Sequence, residues 1–241
     1  NPKTDKDIAV NYSVEDVIKA KAANKTALQK ELGLEENPDA FMLGIVSRLT
    51  DQKGLDLVEC VLDQICAEDV QLVVLGTGEG KYQDMFTYYS RKYPERVSAN
   101  IFYSEALSHR IYASCDAFLM PSLFEPCGLS QLMSLRYGTL PIVRETGGLR
   151  DTVTPYNEVD GTGTGFSFTN YNAHEMLAII RYAKKTYFND RRAWNEMVLR
   201  AMKQDFSWDA SAREYEKLYD GLIEEEARRK EAIRLQQARE A

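Results

Sequence analysis

Several classes of protein are excluded by what this 241-residue chain lacks. It has four cysteines, Cys60, Cys66, Cys115 and Cys127, with no C-x-x-C pair, and its two histidines, His109 and His174, lie far apart, so no zinc-ligand spacing exists. Cys60, Cys66 and Cys115 fall in apolar contexts and read as reduced core thiols, which implies the cytosol. No apolar run approaches the roughly 20 residues that span a bilayer. The opening Asn1-Pro2-Lys3-Thr4-Asp5 carries no signal-peptide core and no initiator Met, and reads as a cut inside a larger protein. Positive charge is not in excess: 30 Lys and Arg against 37 Asp and Glu leave a net charge of −7. That argues against nucleic acid and against an anionic membrane surface as partners. Any anion must therefore be held by local cations. There is no repeat and no low-complexity segment. Gly76-Thr77-Gly78-Glu79-Gly80 is G-x-G-x-G rather than the dinucleotide fingerprint, and no Walker lysine follows a glycine run. A close strand–helix turn explains these glycines better.

What is present is an ordinary core composition, 44% hydrophobic and 28% charged, in a chain long enough to bury it. Residues 1–12 read as polar and extended. Ser13 with Asp16 resembles a capping box, and a helix-friendly stretch then runs to Leu32 and stops at Gly33. Strand-length apolar runs follow at 41–46, 70–75, 97–103, 117–120, 140–144 and 165–168. Helical periods fill most of the intervals, at 55–66 and 81–93 among others, and again at 173–188. Strands alternating with helices predict an α/β fold, a doubly wound parallel sheet, placed at 38–205. Residues 1–37 read as a linker with a helix. Residues 206–241 read as a last helix, stepping through Trp208, Ala212, Tyr215, Tyr219 and Leu222, with a charged tail. In that tail Glu224–Arg228, Glu225–Arg229 and Glu226–Lys230 are i,i+4 pairs in the favourable order.

Three segments each follow a predicted strand and lead into a helix. They are Ser47-Arg48-Leu49-Thr50-Asp51-Gln52-Lys53-Gly54, Phe124-Glu125-Pro126-Cys127-Gly128-Leu129 and Glu145-Thr146-Gly147-Gly148-Leu149. In an open parallel sheet all such turns lie outside the carboxyl ends of the strands and can meet in one crevice. Arg48 and Lys53 near a helix start oppose its dipole unless an anion lies there. Glu125 either complements the helix that follows it or grips a ligand. Thr146-Gly147-Gly148 is either a turn or part of the same crevice. Tyr103, at the end of the third predicted strand, either packs at the rim or stacks on a flat base. Two cations and one carboxylate at a common rim suggest a diphosphate with a hydroxyl-bearing sugar beside it.

These segments, together with Ser108-His109-Arg110-Ile111, Pro121-Ser122-Leu123, Tyr137-Gly138-Thr139-Leu140-Pro141 and Arg150-Asp151-Thr152-Val153, closely resemble bacterial glycogen synthases and plant starch synthases. The resemblance runs from about Asn1 to about Gly221. It implies the second, Rossmann-like half of a GT-B glycosyltransferase, which moves glucose from ADP-glucose to an α-1,4-glucan with retention at the anomeric carbon. It further implies that Arg48 and Lys53 hold the donor's phosphates and that Tyr103 stacks on adenine. Glu125 with the backbone N–H groups of Cys127 and Gly128 would face the glucose. Leu129 and Ser130 would meet a phosphate through main-chain N–H groups, with Thr146 and Gly147 near the same pocket. Glu125, Arg48 and Lys53 are thus the expected catalytic residues.

The resemblance implies no metal and no cofactor, and a cytosolic setting, or a plastid in a plant. The family's first domain, which carries the acceptor surface, is missing, so the chain alone is expected to bind ADP without transferring glucose. Many related transferases grip ribose with a second Glu eight positions on, where this chain has Met133. Two rival readings are the donor half of a UDP-sugar transferase and a non-catalytic nucleotide-binding module.

Overall fold

Strands buried on both faces are the usual product of short, continuous apolar runs separated by helices. The computed structural model describes residues 1–240, and six such runs form one parallel sheet in the order β3-β2-β1-β4-β5-β6. The strands are β1 (Phe41–Val46), β2 (Val70–Leu75), β3 (Val97–Asn100), β4 (Ala117–Met120), β5 (Leu140–Arg144) and β6 (Phe166–Phe168). Phe41 pairs with Val70 and Val46 with Leu75, while Leu43 pairs with Ala117 on the other side. The order therefore reverses between β1 and β4, and that is where a doubly wound sheet opens its ligand crevice.

Side chains alternate between the two faces as the pleat requires. Phe41, Leu43 and Ile45 of β1, with Val70, Leu72 and Val74 of β2, join the larger cluster, which includes residues of α2 (Leu55–Ala67), α7 (Ala173–Asn189) and α8 (Arg191–Lys203). Met42, Val73 and Leu75 join a smaller one with Leu28 of α1 (Val17–Leu32) and with Leu107 and Ile111 of α4 (Glu105–Ser114). The remaining helices are α3 (Gly80–Lys92), α5 (Ser130–Arg136), α6 (Gly147–Thr152) and α9 (Trp208–Glu240). Among the described residues no helix is long and apolar enough to cross a membrane.

Four local readings change. The third strand stops at Asn100 rather than Tyr103, because β2, its one neighbour, ends at Leu75 opposite Asn100. Tyr103 consequently lies on the loop into α4 and is 86% exposed. Cys60 is exposed, since α2 buries the face carrying Val58, Val61, Leu62 and Ile65; Cys66 and Cys115 are buried as expected. The opening dozen residues are packed rather than simply extended: Ile8 and Tyr12 are buried, and the Tyr12 hydroxyl donates to Tyr137 O at 2.7 Å. The Ser13–Asp16 pair forms half of a capping box, with the Ser13 N–H donating to Asp16 Oδ1 at 2.7 Å and no side chain capping α1.

Residues 1–204 make one compact unit that includes α1, and a second unit begins at Asp205. In the second unit α9 is a single helix of 33 residues, and of the three expected tail pairs Glu226–Lys230 closes, at 3.4 Å.

Candidate functional site

The switch between β1 and β4 brings two loops together. Gly54 ends the first loop with φ +69°, and a Cβ there would lie 2.0 Å from Pro121 O, so only glycine lets the two backbones approach this closely. Leu123 N–H donates to Gln52 O at 2.9 Å, and Gln52 Nε2 donates to Phe124 O at 3.3 Å. This stitching places Lys53 Nζ 2.6 Å from Glu125 Oε2, although the two residues are 72 positions apart. Ser122 Oγ donates to the same carboxylate oxygen at 3.2 Å. Glu125 is buried, with 8% of its surface exposed. Among the described residues Lys53 Nζ has no other hydrogen-bond partner, so two of its three protons remain available.

A cavity of about 220 Å³ opens beside this pair, lined by Ser47, Arg48, Lys53, Pro121, Ser122 and Ser130 among others. A second, of about 360 Å³, adjoins it and shares Val46, Ser47 and Arg48 with the first. Phe102, Tyr103, Ser104, Ser108, His109 and Met133 line its outer part. Arg48 therefore borders both. Its Nη2 donates to Gln52 Oε1 at 3.1 Å, and no carboxylate pairs with it among the described residues. The loop after β2 supports this wall. Leu49 N–H donates to Thr77 O at 2.9 Å, and Glu79 N–H donates to Leu49 O at 2.7 Å. A Cβ on Gly78 would lie 2.2 Å from Leu49 O, which is what that glycine-rich turn is for.

The third segment closes behind Glu125, where Gly148 N–H donates to Glu125 O at 3.1 Å. No side chain caps α2, α5 or α6 at their starts, whereas Ser104 caps α4, accepting from Leu107 N at 3.1 Å. The uncapped first turns of α2 and α5, whose Leu55 and Ser130 line the smaller cavity, together with a guanidinium and a shared ammonium, suit a phosphate or diphosphate.

Arg48, Lys53 and Ser130 thus share the smaller cavity, Glu125 joins it through Lys53, and Tyr103 stands in the larger one. Gly147 and Gly148 back onto the Glu125 segment, with Thr146 half-buried beside them. Cys127 and Leu129 are exposed, and Gly128 has φ +74°. Sequence reasoning assigned nothing to Ser122, Gln52 or His109. Ser122 sits three residues before Glu125, a signal that could have been read; the other two depend on cross-loop distances. The three-residue group Asp5, Asp7 and His109 has ligand-type atoms within 4.8 Å of one another, and none of Arg48, Lys53 and Glu125 belongs to it.

Residues 25–198, which carry this doubly wound parallel sheet, are matched by the family model described as glycosyl transferases group 1. The chain belongs to that family. More finely, it is 69% identical over 222 residues to glycogen synthase from Lachnospira eligens, covering 92% of this chain and 46% of that protein. It is 54% identical over 223 residues to glycogen synthase from Clostridium acetobutylicum, again covering 92% of this chain and 46% of the relative. The catalytic domain of starch synthase IV from Arabidopsis thaliana, solved bound to ADP and acarbose, superposes with a TM-score of 0.83 at 35% identity, over 91% of this chain and 46% of that one. The resemblance to glycogen and starch synthases is borne out, as is the Rossmann-like GT-B fold class. The chain spans about half the length of the curated relatives it matches.

Proposed function

We propose that this chain is the donor-binding half of an ADP-glucose-dependent glucan synthase, with the nucleotide in the two adjoining cavities and glucose at Glu125. The observation that carries the reading is the Lys53–Glu125 pair, whose lysine lines a cavity together with Arg48. It offers positive charge to a diphosphate and a carboxylate to a sugar within one hydrogen-bond length. The likeness to a starch synthase solved with ADP and acarbose supports the choice of adenine and of a glucan acceptor.

The chemistry is departure of a diphosphate from an anomeric carbon through an oxocarbenium-like state. Negative charge grows on the leaving phosphate, so Arg48 and Lys53 bind the transition state more tightly than the ground state, and that difference is what accelerates the step. Glu125 orients the sugar and offsets positive charge at the ring. Its contacts with Lys53 and Ser122 fix the position of the carboxylate. Tyr103 supplies a ring for the base, and backbone N–H groups of Cys127, Gly128, Leu129 and Ser130 meet the glucose and a phosphate. Thr146 and Gly147 close the pocket behind them. No metal enters this scheme.

The α-1,4-glucan acceptor is assigned to a first domain outside this chain, so the chain alone binds ADP and does not transfer glucose. In the same reading residues 1–37 lead in from that domain, 38–205 hold the donor, and 206–241 return toward it. The bacterial relatives favour a cytosolic rather than a plastid setting. Calorimetric titration tests the reading: ADP should bind the 241-residue chain more tightly than UDP does. A preference for UDP would move the protein to the UDP-sugar branch, and no binding of either would remove the donor site.

A further inference from the structure

His109 touches two things at once. It lies one turn into α4, and Glu105 and His109, four residues apart, share the helix face that walls the larger cavity beside Tyr103 and Met133. Its Nδ1, however, faces the opening segment of the chain. Asp5 Oδ2 lies 3.0 Å from it and Asp7 Oδ2 3.8 Å. The Nδ1 atom is buried and makes no aligned hydrogen bond among the described residues, so what backs the ring there is close contact with these two carboxylates.

Asp5 is itself built in. Its side chain is 4% exposed, the Tyr137 hydroxyl donates to it, and Asp7 N–H donates to Asp5 Oδ1 at 2.9 Å. Burial alone would raise the Asp5 pKa, but the bonds from Tyr137 and the Asp7 amide, with His109 close by, outweigh it and hold the carboxyl below its usual range. The segment is fastened at further points. Asn11 Nδ2 donates to Asp5 O at 2.6 Å, and Arg110 Nη1 donates to Asp7 O at 3.4 Å. The hydroxyl of Tyr12 reaches Tyr137 O, as described above.

We infer that Asp5 is a positioning residue for the nucleotide base: by holding His109 at Nδ1 it fixes the ring that walls the base cavity, so that seating of the opening segment and occupancy of that cavity are coupled. The inference rests on the donor-site reading above and adds to it a residue and a direction of control.

The test separates base from phosphate. ADP and inorganic diphosphate are titrated into the 241-residue chain and into Asp5→Asn, His109→Gln and the double variant. Asp5→Asn should weaken ADP about five- to tenfold, within the range of coupled neighbours, and leave diphosphate within about twofold. The double variant should bind ADP no more weakly than His109→Gln alone. Equal losses for ADP and diphosphate would mark Asp5 as a general structural staple and overturn the inference. Unchanged ADP binding, or additive losses in the double variant, would overturn it as well. Should Asp5→Asn fail to fold, reciprocity supplies a measurement on the unaltered chain. ADP, but not diphosphate, should slow amide hydrogen exchange in residues 5–12, and its failure to do so is equally decisive. If the unaltered chain binds diphosphate but not ADP, the nucleotide reading itself fails, an outcome distinct from the others.

Discussion

Two ion pairs of the same length occupy opposite ends of this sheet. At the N-terminal end of the strands, Lys25 Nζ lies 2.6 Å from Asp116 Oδ2; at the C-terminal end, Lys53 Nζ lies 2.6 Å from Glu125 Oε2. The lower ammonium also donates to Pro38 O, Ala40 O and the Tyr187 hydroxyl, and Asp116 Oδ2 accepts from Met42 N–H at 2.8 Å. Every proton of Lys25 is engaged and its side chain is 3% exposed, so the pair is closed. Among the described residues the upper ammonium has one partner, and it opens on a cavity beside Arg48, which no described carboxylate pairs. Distance alone does not separate a closed pair from an open one. The count of unused donors does.

The largest expected effect tests the closed pair. Lys25→Met should lower stability by about 3–5 kcal/mol, because it leaves Asp116 buried without its cation. Lys53→Met should cost no more than about 1–2 kcal/mol, between the exposed and buried cases. Urea midpoints measure both, and equal losses would erase the distinction between the two ends.

The next effect tests the open pair within a complete enzyme. Glu125→Ala should lower turnover at least about 10²-fold, roughly 2.7 kcal/mol of transition-state stabilisation. Turnover within a few-fold of the unaltered enzyme would reduce Glu125 to a partner that only steadies Lys53.

A more gradual effect, spread over pH, concerns a second cation at the lower end. Lys21 Nζ donates to Tyr112 O, Ala113 O and Tyr137 O, and to Thr139 Oγ1 at 2.6 Å. Burial pushes its pKa down to about 7, against the attraction of Asp116. With the folded value below the unfolded one of about 10.4, the unfolded chain binds more protons between those limits. Stability should therefore rise by up to about 1.4 kcal/mol per pH unit from pH 7 toward 9.5, and this contribution is lost as pH falls through 7. Thermal melts of the chain and of Lys21→Met should show the slope in the former alone. A flat profile in the unaltered chain would mean that the carbonyls at the ends of α4 and α5 keep Lys21 charged. Tyr137, raised by burial and by its bond to Asp5, opposes the trend only at more alkaline pH.

Much of the fold was legible because a strand covered on both faces must be an unbroken apolar run, as 41–46 and 70–75 are. The end of β3 was not, since it depends on where β2 stops and not on Ile101, Phe102 or Tyr103 themselves. The opening segment was misjudged for a related reason: its anchors, Tyr137 and His109, lie more than a hundred positions away. The rim residues could be named from turn positions and charge. That Lys53 and Glu125 would meet could not, because their contact requires the approach of Gly54 to Pro121, a tertiary fact. Their sequence roles, cation for phosphate and carboxylate for sugar, stood apart until the loops were seen together.

The central claim is that the upper end holds a nucleotide by its cations and a sugar by its carboxylate. Calorimetric titration of ADP into Arg48→Ala and Glu125→Ala, side by side with the unaltered chain, tests it most directly. Arg48→Ala should weaken binding by about 1.5–3 kcal/mol, the usual worth of a hydrogen bond to a charged group. Glu125→Ala should leave ADP affinity unchanged or slightly higher, since it removes a negative charge and frees the Lys53 ammonium for phosphate. Equal weakening of ADP by the two substitutions would contradict the account.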